Sequence, residues 1–94
     1  MSSEMAFRIM YEVVKLEEVY WLSVDRPLPV GTLVVPFNHV EWDCLEDTPI
    51  TSVDYVAGES IATMYVIDDI SDLSSCKDEF AMLMIAAGWT RVPI

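Results

Sequence analysis

Ninety-four residues fit one domain and leave no room for two, so residues 1–94 are read as a single acidic α+β domain. With 53% hydrophobic residues and a mean hydropathy of +0.35, the composition excludes intrinsic disorder for most of the chain. Sixteen Asp and Glu against five Lys and Arg give a net charge of −11 and a pI near 4.1, which argues against direct binding to nucleic acid or to anionic membranes and favours basic partners.

The N-terminus, Met1-Ser2-Ser3-Glu4, has neither a basic region nor an apolar core of the kind that opens a secretory signal. The longest apolar run, Phe80 to Ala87, is too short to span a bilayer. A cytoplasmic location is therefore expected, with Cys44 and Cys76 as reduced, packed thiols.

Phe7, Ile9, Tyr11 and Val13 alternate with Arg8, Met10 and Glu12 at strand period. Glu4, Arg8, Glu12 and Lys15 would also line one face of a helix with alternating charge. The density of aromatic and β-branched residues favours the strand. Val19 to Val24 is a second strand, with the turn between the two placed at Glu17-Glu18. Pro27 and Pro29 break the pattern, because proline cannot donate to a ladder. Gly31 opens a short buried-type strand, Thr32 to Val35, ended by Pro36.

Phe37 to Pro49 reads as an acidic loop with aromatic anchors. Thr51 to Ala57 and Ser60 to Ile67 are further strands, joined by a Gly58-Glu59 turn. A helix follows, capped at Ser74 or Ser75, with Asp78 and Glu79 in its first turn and Gly88 as its stop. Its middle is apolar on nearly every side, as in a helix that is deeply buried or has a second face at an interface. Thr90 to Ile94 is a last edge strand. The expected architecture is α+β: a small, mainly antiparallel sheet of about four to five strands packed by the C-terminal helix, with a more closed, barrel-like sheet as the alternative.

No motif carries recognisable catalysis. His39, the single histidine, could share an extended face with Glu41 and Asp43 and hold a metal through one nitrogen and two oxygens. The plainer reading is a solvated acidic face with Val40, Trp42 and Cys44 turned inward. Cys44 lies five positions after His39, an odd separation that puts the two on opposite faces of a strand. Asp68, Asp69 and Asp72 lack the glycine and the terminal Glu of a calcium-binding EF-hand loop. The three glycines are scattered, so no phosphate-binding loop exists. Neither a metal nor a cofactor is expected, and the chain is read as non-enzymatic.

The most informative pattern is a gap. Between Arg26 and Lys77 there is no Lys or Arg, yet the interval holds Glu41, Asp43, Glu46, Asp47, Asp54, Glu59, Asp68, Asp69 and Asp72. Carboxylates spread over strands and loops can imitate the phosphate rows of a duplex, which carries one charge per ~1.7 Å of axis. These nine residues, with Trp42 as an anchor, form the expected partner-binding set. Glu41, Asp43, Glu46 and Asp47 rank first. The expected partner is a basic protein surface, that of a nucleic-acid-binding enzyme or complex. In general character, short, acidic and without a catalytic motif, the chain is similar to phage-encoded inhibitors of restriction or CRISPR nucleases. That likeness lies in composition and implies occlusion of a basic groove. The alternative is a homodimeric interaction module joined through the apolar C-terminal helix, with acidity serving solubility.

Overall fold

The computed structural model describes residues 6–37, 48–56, 60–69 and 77–93. The fold is α+β, and the described residues form a curled six-stranded sheet and one helix. The strands are β1 (Ala6–Val13), β2 (Glu18–Val24), β3 (Leu33–Val34), β4 (Thr48–Val56), β5 (Ile61–Asp68) and β6 (Thr90–Val92), and α1 spans Lys77–Ala86. Their order across the sheet is β3-β4-β5-β1-β2-β6. The class agrees with the pattern of the sequence. The strand count exceeds the expected four to five because all six segments read as strands, the short Leu33–Val34 pair and the C-terminal segment included, join one sheet.

The ambiguous first segment is a strand, and a central one. Ile9, Tyr11 and Val13 are buried on one face, which satisfies period two and leaves the helical charge stripe unused. A single turn of 3-10 helix, Val14–Leu16, leads from β1 to β2. Glu17 ends it in the left-handed region at φ 55°, and its N–H donates to the Val14 carbonyl at 3.1 Å. The reversal therefore comes earlier than the Glu17-Glu18 turn expected, and Glu18 belongs to β2.

Most pairings are antiparallel, but β1 and β5 run parallel, with Ile9 opposite Met64 and Val13 opposite Asp68. β6 also runs in their direction, since it and β1 both pair antiparallel with β2. The segment from β5 through α1 to β6 thus crosses over β1 and β2, and this lays the helix on one face of the sheet.

That face is the core. Tyr11, Tyr20, Met64, Val66, Phe80 and Met84 are fully buried. The Phe80 ring meets Tyr20 edge-on at 5.9 Å and Phe37 at 5.6 Å, while Tyr11 meets Trp89 at 5.7 Å. Trp89 donates its indole N–H to the Pro36 carbonyl at 2.8 Å, so the one polar atom of this ring is satisfied. The helix stops as the sequence suggests: Gly88 has φ +102°, its N–H donates to the Ile85 carbonyl, and the Trp89 N–H donates to that of Met84. This is a Schellman ending, with the apolar Trp89 and Met84 both in the core. The Gly58-Glu59 turn, the Ser74 or Ser75 cap and most of the Phe37 to Pro49 loop lie outside the described residues.

Candidate interaction surface

Among the described residues, two places combine unusual chemistry with exposure: a charged cleft at one end of the sheet, and the sheet face that no described element covers.

The cleft, about 680 Å³, is lined by Glu17, Glu18, Lys77, Arg91, Val92 and Pro93. Register explains it. Glu18 opens β2 opposite Val13, on the core side, so its carboxylate is only 3% exposed. Arg91 sits opposite Tyr20 on the neighbouring β6, on the same side. Its Nε donates to Glu18 Oε2 at 2.8 Å and its Nη2 to Oε1, a bidentate pair. Lys77 at the start of α1 adds a third charge, Nζ standing 3.7 Å from Glu18 Oε1. The hydrogen bond to Glu18, with its negative charge, holds the Arg91 guanidinium above its already high usual pKa. One buried carboxylate thus ties β2, β6 and the helix together. With Glu17 included, the cleft holds two charges of each sign.

Beside it, the Tyr20 hydroxyl is buried without a hydrogen-bond partner among the described residues. Desolvation, reinforced by the charge of Glu18 and opposed by Arg91, raises its pKa above 10.0. A second buried polar pair lies within the core, where Tyr11 donates its hydroxyl proton to Asp68 Oδ2 at 2.8 Å.

The bare face follows from the same alternation. In the middle of the sheet, Met10 on β1 is flanked by Trp21 on β2 and Tyr65 on β5, with Ser52 next on β4. One row away, Val19, Glu12 and Ile67 stand side by side, with Val92 beyond Val19. In the row on the other side, Arg8 has Ser23 and Thr63 as neighbours and Asp54 beyond Thr63. Arg8 Nε donates to Thr63 Oγ1 at 2.9 Å and covers that hydroxyl, leaving Thr63 1% exposed. Met10, Val19, Trp21, Tyr65 and Val92 are half-buried, and Ile67 is exposed. A hollow of about 420 Å³ lies among Met10, Glu12, Val19, Ser52, Tyr65 and Ile67.

Of the residues singled out from the sequence, Asp54 is exposed on this outer face and Asp69 is exposed just past β5. Asp68 is a correction: it is 1% exposed and bonded to Tyr11, so it cannot meet a partner. Adjacent Asp68 and Asp69 point to opposite sides of the chain, and only one side is wet. Glu41, Trp42, Asp43, Glu46, Asp47, Glu59 and Asp72 lie outside the described residues, as do His39, Cys44 and Cys76. No group of three or more His, Cys, Asp or Glu able to hold a metal occurs among the described residues. No described helix is long and apolar enough to cross a membrane.

Sequence reasoning missed the Glu18 cluster and the outer face. The first gave no local signal, since its partners are 73 residues apart. The second was legible in part: with Phe7, Ile9, Tyr11 and Val13 turned inward, Met10 had to point outward.

Comparison with protein-family models, with curated proteins and with solved structures finds no match for this chain.

Proposed function

We propose that this chain is a non-enzymatic binding protein that occludes or regulates a basic protein surface, with a nucleic-acid-binding enzyme as the preferred class of target and phage-type inhibition of a defence nuclease as its form. The observation that carries the reading is how little positive charge the surface retains. Of five cations, Arg26 is paired with Asp25, and Lys77 and Arg91 are both held by Glu18. Glu12, Glu17, Asp54, Asp69, Asp78 and Glu79 are meanwhile exposed. Such a surface attracts Lys- and Arg-rich grooves, speeds encounter with them and releases them as salt rises.

The test is an affinity capture with tagged protein, eluted on a salt gradient and read by mass spectrometry. A nucleic-acid enzyme released by salt and competed by DNA or RNA supports occlusion. Reversing two or more of Glu41, Asp43, Glu46 and Asp47 then weakens capture strongly. Recovery of salt-insensitive partners, or of the protein alone, removes the reading.

A second reading is a homodimeric module in which acidity serves solubility. It is favoured by the helix, where Met82 is 71% and Ile85 55% exposed.

A further inference from the structure

The outer sheet face is apolar at its centre, and its charges are arranged in a way that fits a copy of itself. Arg8 and Glu12 stand on the same strand, each two residues from Met10 and on opposite sides of it. At about 3.3 Å per residue, each lies about 7 Å from that centre. We propose that this face is a contact between two copies of the chain, packed sheet to sheet about a two-fold axis that runs across the strands at Met10.

A contact between identical patches must be self-complementary. An axis across the strands lays β1 antiparallel on its counterpart and brings Arg8 of each copy over Glu12 of the other, twice per dimer. An axis along the strands sets Arg8 over Arg8 and Glu12 over Glu12, which costs free energy. The charge pattern therefore selects one arrangement. Trp21 and Tyr65 flank the centre and supply the aromatic anchors typical of interface cores. Sheets packed this way stand about 10 Å apart, and the hollow beside Met10 gives facing side chains somewhere to enter.

Charge also favours this face over the helix. The chain carries −11, whereas the described outer face holds Arg8 against Glu12 and Asp54, with Asp69 just past β5, a net of −2. A second copy approaches here with the least repulsion. The helix presents Met82 and Ile85, but its first turn holds Asp78 and Glu79, and its one cation, Lys77, is engaged by Glu18. Five strands about 4.8 Å apart and a run of about five residues cover on the order of 400 Å² per copy, below the size of a stable interface and in the range of weak, transient ones, so the dimer dissociates on dilution.

Sedimentation equilibrium of the full chain across the micromolar range, at low and high NaCl, tests this. The expected result is a dimer that tightens as salt screens the like net charges, opposite in sign to the salt release of a basic partner. Glu12→Arg is expected to weaken it about tenfold by creating two Arg–Arg contacts. That sign is diagnostic, because the substitution lowers the net charge and would otherwise relieve repulsion. The swap Arg8→Glu with Glu12→Arg, which keeps the net charge, restores wild-type association. Circular dichroism confirms that each variant is folded. A monomer throughout at high salt, a dimer indifferent to Glu12→Arg, or one dissociated by Met82→Glu alone overturns the proposal.

Discussion

The two faces of this sheet are made of similar residues and have opposite fates. Inside, Tyr11, Tyr20 and Met64 meet Phe80 and Met84 of the crossing helix and disappear from solvent. Outside, Met10, Trp21 and Tyr65 occupy the same strands one residue away and are covered by no described element. The difference lies in what packs on each face among the described residues more than in chemistry. A sheet has two faces, and the described residues supply one helix to lay on them. Apolar residues on the second face are therefore informative, because no described element packs on them.

Deleting the ring that closes the inner face should break the comparison most sharply. Phe80→Ala is expected to cost about 3–5 kcal/mol, since the ring is fully buried between Tyr20 and Phe37. Trp21→Ala, on the bare face, should cost about 1 kcal/mol or less in the monomer. Equilibrium urea unfolding of both variants checks the contrast, and equal losses would mean that the outer face is as structural as the inner.

The inner polar pair comes next. Tyr11→Phe leaves the buried Asp68 without this hydroxyl donor, and about 1–3 kcal/mol should be lost in the same assay. The smallest effect is expected at Tyr20, whose hydroxyl has no partner to lose among the described residues. Tyr20→Phe should change stability at neutral pH by less than about 1 kcal/mol, with stabilisation the favoured sign. Its pH dependence sharpens the point. Because desolvation raises the folded-state pKa of Tyr20, its ionisation takes nothing from stability below pH 10.0, and stability is lost as pH rises from there through the folded-state value. Wild-type stability should therefore fall more steeply than that of Tyr20→Phe above pH 10.0. Parallel curves would show that the hydroxyl is solvated.

Much of the fold could be read locally. Alternation at Phe7 to Val13 announced a strand, and Gly88 announced the end of the helix at the residue where the left-handed turn occurs. The expected strand Ser60 to Ile67 lies within a residue of β5, and Thr90 opens an edge strand as expected. What escaped is what depends on distant partners. The parallel pairing of β1 with β5 joins residues about 55 apart, and nothing within either strand signals the other. Asp68 looked like half of a surface pair with Asp69 because its partner, Tyr11, lies 57 residues away. Glu18 looked like a turn residue because neither Arg91 nor Lys77 is near it in sequence. Burial of Glu18 depends on its cations, and both arrive with the last fifth of the chain.

That separation has a bearing on synthesis. A chain emerging from the ribosome presents Glu18 early and Arg91 73 residues later. Until then β2 has no β6 beside it, and a buried Glu18 would be an uncompensated charge. The domain should accordingly dock its sheet only when nearly all of it has been made. Nascent chains stalled before Lys77 should remain open to protease, while those carrying Arg91 clear of the exit tunnel should resist it.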